Sequence, residues 1–138
     1  MLEQGFYARV AANSGVQAII GNPARFYPVI LPESPTYPCA SYQVISDVPE
    51  YTLDLTAGVS QKRIQVDTWS GGPDAASYLD AKNAQAAIRA ALEGFRGQLP
   101  DGTWVTGILV ANAKDEYEQD ARAYRTSTDF LVFYSAAG

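Results

Sequence analysis

Residues 74–95 read DAASYLDAKNAQAAIRAALEGF, and this stretch decides the fold of the chain. Its apolar residues follow the i, i+3, i+4 and i+7 spacing of one helical face: Ala84, Ala87, Ile88, Ala91, Leu92 and Phe95. A turn sequence, Gly71-Gly72-Pro73, precedes it. The pattern predicts one long helix over residues 74–95. Half of these six apolar residues are alanine, which favours close packing on a sheet or on a neighbouring subunit.

Downstream of this helix, the sequence predicts two strands joined by an acidic connection. Residues 103–111 form the first strand, with Trp104, Ile108 and Val110 on one face. The acidic connection spans residues 112–121, and residues 124–134 form the last strand. That strand ends in FLVFY and is apolar on both faces, which is typical of a strand whose second face is also covered. Phe130 and Val132 are the expected core set.

Upstream of the helix, two alternating stretches predict an antiparallel hairpin. Residues 38–46 and 61–69 each alternate between the two faces of a strand. Residues 47–60 connect them and combine acidic with apolar side chains. A connection of this length and composition is either an extended hairpin or a contact arm.

The N-terminal third begins with a predicted helix over residues 2–13, in which Leu2, Phe6 and Val10 share one face. A further single turn over residues 16–20 follows, with Ser14 as its expected cap. Residues 22–38 then contain five prolines. Because proline lacks the amide donor, this segment is expected to contain at most an edge strand or an extended arm over residues 25–31.

These elements predict a single domain over residues 1–138 of the α+β class. The sheet is expected to be mostly antiparallel with four to five strands. The N-terminal helix and the long central helix are expected to pack on one face, and an arm or hairpin loop projects near residues 47–60. The opposite face of the sheet then needs polar residues or a partner.

The composition excludes several classes of site. The chain has no histidine and a single cysteine, Cys39, so it lacks the commonest general base and cannot form an intrachain disulfide. A lone thiol is consistent with a reducing cytoplasm. The net charge of −5 disfavours binding to nucleic acid, which depends on lysine and arginine. No apolar run approaches the length of a membrane span.

Two carboxylate arrangements remain as candidates for chemistry. Asp67 and Asp129 lie on neighbouring predicted strands and would be an acid–base pair if they shared a cleft. The acids of the 112–121 connection offer oxygen ligands for calcium but lack the spacing of an EF-hand: Asp115, Glu116, Glu118 and Asp120. A solvated loop explains the second group better. We therefore expect no catalytic residue, no cofactor and no metal.

The order of motifs along nearly the whole chain resembles the phage tail-completion family, whose members are also described as tail terminators or head–tail joining proteins. The resemblance is carried by six stretches in this order: RFYP at 25–28, PCASYQ at 38–43, YTLD at 51–54, RIQVDTW at 63–69, ALEGF at 91–95 and YRTSTDF at 124–130.

This resemblance implies a structural protein of the virion, made in the host cytoplasm. It implies a ring, commonly a hexamer, at the head-proximal end of a long tail. Such a ring stops growth of the tail tube, joins it to the head connector proteins and lets DNA pass through the lumen without specific binding.

The apolar residues left outside the expected core are the predicted subunit contacts, together with one acid of the arm: Tyr51, Leu53, Asp54, Leu55, Val59, Leu131 and Phe133. Two alternatives remain open at the level of sequence. One is a small carboxylate-based enzyme or ligand-binding α+β domain, which would need a concave pocket with convergent polar groups. The other is a dimeric cytoplasmic module encoded in a prophage.

Overall fold

Three helices pack on one face of a six-stranded sheet in the computed structural model, which describes residues 1–48, 59–72 and 74–135. The helices are α1 (Leu2–Ala12), α2 (Ser14–Ile20) and α3 (Ala75–Leu92). The strands are β1 (Phe26–Pro28), β2 (Cys39–Val48), β3 (Ser60–Gly71), β4 (Gly97–Gln98), β5 (Trp104–Glu118) and β6 (Ala123–Ser135). We call the face of the sheet away from the helices the outer face.

The sheet has the order β1-β2-β3-β6-β5-β4. Its pairings are antiparallel except for β1, which runs parallel to β2. The prediction of a mostly antiparallel sheet with helices on one face is confirmed. The edge strand expected within residues 25–31 is present as β1. The predicted count of four to five strands is wrong in detail, because the two-residue strand β4 was not predicted. The single turn predicted after α1 is a separate helix, α2.

Helix α3 matches the prediction from its spacing. Ala84, Ile88 and Leu92 are fully buried against the sheet. The Asp74 side chain caps the helix by accepting a hydrogen bond from the backbone N–H of Ser77 at 2.8 Å. The helix ends at Leu92, three residues before the predicted end, because Gly94 adopts a φ of 80° that a helix does not allow.

The N-terminal helices contribute the apolar face that the sequence indicates. Leu2, Phe6 and Val10 are buried in the same core as α3. The cap of α2 differs from the prediction: the side chain of Asn13, one residue before Ser14, accepts the hydrogen bond from the N–H of Val16 at 3.1 Å. The amide oxygen of Asn13 provides the acceptor that the hydroxyl of Ser14 was expected to supply.

Strand β5 is longer than predicted, and the acidic connection is mostly strand. Residues 112–118 continue the ladder with β6, and the turn between the two strands occupies only residues 119–122. Glu116 and Glu118 lie on the same face as Arg125 of β6. The guanidinium across the ladder compensates the carboxylates, so that an acidic stretch is stable as a strand.

An irregularity at Thr106 reverses the face of Trp104. Val105 pairs with Tyr134, whereas Gly107 pairs with Phe133, so Thr106 is an extra residue in β5. The side chains of Val105, Ile108 and Val110 therefore point toward the helices. Trp104 was predicted to share a face with Ile108 but lies on the opposite face.

Strand β6 has the predicted core register. Phe130 and Val132 are buried under the helices, while Leu131 and Phe133 are half-buried on the outer face. The core formed in this way draws on all three helices and on β1, β2, β3, β5 and β6. None of the helices in the described ranges combines the length and apolar character needed to cross a membrane.

Candidate functional site

The outer face of the sheet divides into a charged half and an apolar half along β6. Arg125, Ser127 and Asp129 lie toward the start of that strand, and Leu131 and Phe133 lie toward its end. Paired residues of antiparallel strands share a face of the sheet. Each outer-face residue of β6 is therefore flanked by outer-face residues of β3 and β5. This face is the part of the fold that the helices leave uncovered.

Two arginines neutralise the carboxylates of the charged half. Arg125 Nη2 lies 3.1 Å from Asp67 Oδ2, and Arg125 Nη1 lies 3.0 Å from Glu118 Oε1. Arg63 Nη2 donates to Asp129 Oδ2 at 2.7 Å. Asp67 and Asp129 are thus close on the sheet, as the acid–base hypothesis requires, but each is engaged by its own arginine.

A segment rich in proline, residues 29–37, covers part of this charged half, and we call it the strap. Parallel pairing of β1 with β2 requires the chain to return to the end of the sheet at which β1 began, and the strap makes that return. The strap and the outer face enclose an open pocket of about 460 Å³. Its floor includes Asp67, Trp69 and Arg125.

The polar floor beneath the strap is incompletely hydrogen-bonded. In the described part of the chain, four buried side-chain atoms have no hydrogen-bond partner: Asp67 Oδ1, Trp69 Nε1, Arg125 Nε and Ser127 Oγ. All four lie on adjacent positions of β3 and β6. A buried unpaired polar group costs about 1–3 kcal/mol. Within the described residues, side-chain atoms of this kind are concentrated at this one place on the sheet.

Asp67 shows the electrostatic consequence of this burial. Loss of water raises the pKa of its carboxyl above the ordinary value, and the neighbouring Ser127 hydroxyl and Arg125 guanidinium oppose that rise only in part. Ser127 lies directly opposite Asp67 on β6, and both Asp67 Oδ1 and Ser127 Oγ are among the four atoms without a partner.

Cys39 lies at the start of β2 and is fully buried. Burial raises the pKa of its thiol to about 11, although the nearby Arg25 lowers it slightly. A thiol with that pKa is almost entirely protonated at neutral pH, so Cys39 is not an activated nucleophile.

The acids between residues 115 and 120 do not converge on one point. Asp115 faces α3 and accepts hydrogen bonds from Tyr78 Oη at 2.7 Å and Lys82 Nζ at 3.2 Å. Glu116 and Glu118 lie on the outer face beside Arg125. Among the residues that the structure describes, no group of three candidate ligands is arranged to hold a metal ion.

The predicted subunit contacts are placed only in part. Tyr51, Leu53, Asp54 and Leu55 lie outside the described residues. Val59, just before β3, is exposed. Phe133 joins Val59 in lining a small pocket that also includes Val48 and Gln61, and Leu131 pairs with Leu109 of β5. The described members therefore lie toward one end of the outer face.

Sequence reasoning missed a second set of exposed apolar residues at the edges of the sheet. We call Val29, Ile30, Ile45 and Val48 the β1–β2 edge patch and Trp104 and Leu109 the β5 edge patch. Their side chains are between 37% and 76% exposed. Alternation within one strand does not reveal which strands become edges, so the sequence carried little signal for these patches beyond the lack of charge around them.

The model of a family described as Tail completion protein gp17 matches residues 4–135. The fold is similar to that of a chain in a solved structure described as the virion of a native gene transfer agent particle, with a TM-score of 0.70. The two sequences are 22% identical, and the match covers 96% of this chain and 93% of that chain. A search of curated protein sequences gives no match.

Proposed function

This chain belongs to the tail completion protein gp17 family, and we propose that, as a structural protein of the virion, it forms a ring that terminates a long tail. The ring, a hexamer in this proposal, sits at the head-proximal end of the tail. It stops addition of tail tube protein and presents a surface to the head–tail connector proteins. The observation that carries the proposal is the family match over residues 4–135.

The described surfaces support assembly with other subunits. Helices cover one face of the sheet, whereas the outer face keeps Leu131 and Phe133 half-buried toward the end of β6. Large apolar groups left at a surface favour burial against a partner. We include these two residues and Val59 in the subunit contact, together with Tyr51, Leu53, Asp54 and Leu55 of the arm near residues 47–60.

The charge of the chain is compatible with passage of DNA through such a ring. The net charge is −5, and the described arginines of the outer face are already paired with carboxylates. A surface of this kind repels the phosphate backbone and does not retain it. DNA is therefore expected to traverse the lumen without specific binding.

The proposal is tested by removing the gene for this chain from the particle that encodes it. We expect tails of irregular and excessive length that are not joined to heads, scored by negative-stain electron microscopy. Supplying the wild-type chain from a plasmid is the control and should restore joined tails of uniform length. Joined tails of normal length in the absence of the chain would refute the proposed role.

A further inference from the structure

The exposed large apolar residues of this protein are concentrated at two opposite edges of one sheet. Four of them form the β1–β2 edge patch, and two form the β5 edge patch at the other side of the molecule. Four strand spacings of ~4.8 Å separate β1 from β5, so the two patches are about 20 Å apart across the sheet. One subunit cannot bring them together.

The backbone at both edges is also open. Strand β1 pairs with β2 only as far as Tyr42, and β4 pairs with β5 only as far as Val105. Beyond those points, residues 43–48 and 109–118 have no strand neighbour on their outer side within the described chain. An open strand edge readily pairs with another chain unless it is protected.

The central part of each edge lacks charge, although β1 and β4 are only three and two residues long and extra residues interrupt β2 at Ile45 and β5 at Thr106. Residues 26–32, 39–46 and 104–113 contain no charged side chain, whereas the open edges beyond them carry charges at Asp47, Lys114, Asp115, Glu116 and Glu118. Free edges of natural sheets are normally guarded by lysine or other charges, which prevent association. In a chain of net charge −5, these uncharged stretches are the parts of the two edges at which a second copy can approach without charge repulsion.

An exposed apolar residue of the strap, Ile30, directly follows a residue with an unfavourable backbone conformation. Val29 has a φ of 66°, which is rare for a β-branched residue, and the N–H of Ile30 donates to the carbonyl of Pro28 at 2.7 Å across it. This turn leaves Ile30 76% exposed. Relaxation of the turn is opposed by the hydrogen bond from the Val29 N–H to the Tyr42 carbonyl at 2.8 Å.

We propose that the β1–β2 edge patch of one subunit packs against the β5 edge patch of the next, head to tail. Contact between two different patches is heterologous and continues from copy to copy until a ring closes, whereas a two-fold dimer needs one patch that complements itself. The β5 edge patch is continuous with the outer face, because Leu109 pairs with Leu131. This inference rests on the proposed ring and identifies the two sides of its subunit contact.

The test uses one variant for each edge and a matched control. Ile30→Asp alters the β1–β2 edge, and Leu109→Asp alters the β5 edge. Leu79→Asp places the same charge on an exposed leucine of α3, away from both edges; Leu79 and Leu109 are 56% and 54% exposed. We expect native mass spectrometry to show loss of the ring species for both edge variants and retention for Leu79→Asp. At a dilution at which every species is monomeric, the melting temperatures of the variants should equal that of wild type.

Mixing the edge variants distinguishes a head-to-tail contact from other arrangements. Each variant retains the edge that the other lacks, so an equimolar mixture should form heterodimers through one intact contact and nothing larger. If either aspartate lowers the melting temperature, the serine variants Ile30→Ser and Leu109→Ser replace it in the same mixture.

The outcomes separate this inference from the proposed function. Wild-type rings that persist in both edge variants would overturn the edge contact and leave the ring intact. Loss of rings without heterodimers in the mixture would also overturn the head-to-tail pairing. A wild-type chain that stays monomeric at every concentration would overturn the ring itself.

Discussion

At the scale of single residues, burial of the Asp67 carboxyl is expected to change how the stability of the protein depends on pH. Burial raises the pKa of its carboxyl above the unfolded value of 3.8. The folded state therefore binds this proton more tightly, and the contribution of Asp67 to stability falls as pH rises from 3.8 through its folded pKa. Asp67→Asn removes that dependence. We expect the melting temperature of the variant to improve relative to wild type as pH increases through this window.

The measurement is thermal unfolding of both proteins at several pH values from 3 to 7. Asp129→Asn is the control on the neighbouring strand, since Asp129 is paired with Arg63 and does not line the pocket. A difference between Asp67→Asn and wild type that stays constant with pH would show that burial does not perturb this carboxyl.

At the scale of an element, β6 alternates between a core face and an outer face. Phe130 is buried and contacts the Phe6 ring at a centroid distance of 6.5 Å, whereas Phe133 is half-buried on the other face. Phe130→Ala leaves a cavity in the core, so we expect a loss of about 3–5 kcal/mol in the free energy of unfolding. Phe133→Ala should cost clearly less, and both are measured by urea denaturation.

This pair of variants is matched in residue type and lies on one strand, so the comparison isolates the face. Equal losses in the two variants would mean that β6 has no distinct core side. A larger loss at Phe133 would place the core register one residue away from the one described here.

At the scale of the whole molecule, all three helices and five of the strands share one core. We propose on this basis that residues 1–138 fold as a single cooperative unit. The tryptophans Trp69 and Trp104 lie on β3 and β5 and report tertiary packing, while far-ultraviolet circular dichroism reports the helices. We expect the two signals to change at the same temperature.

The comparison must be made at more than one protein concentration. Assembly stabilises the folded chain by mass action, so the melting temperature should rise with concentration in wild type and not in Ile30→Asp. Loss of the helical signal before the tryptophan signal would contradict a single unit and would indicate that the helical layer unfolds by itself.

The spacing of apolar residues along the sequence was sufficient to predict the elements that pack one side against the core. Helix α3 follows from the spacing of Ala84, Ile88 and Leu92, because one side of a helix facing a core imposes a 3.6-residue period whatever the core contains. Alternation divides the end of β6 into two apolar sets, and packing against the helices decides that Phe130 and Val132 are the core set. The absence of an imidazole that could activate Cys39 also follows from composition, since the chain contains no histidine.

Features that depend on which strands are neighbours in the sheet could be determined only from the tertiary structure. Residues 112–118 are acidic and were predicted as a connection, yet they form a strand because Arg125 lies opposite on β6. The extra residue at Thr106 turned Trp104 to the other face, and no spacing in the sequence marks such an irregularity. Ile30 and Leu109 are 79 positions apart, and only the strand order makes them the two ends of one sheet. Strand order is set by long-range pairing and burial, which a local pattern does not encode.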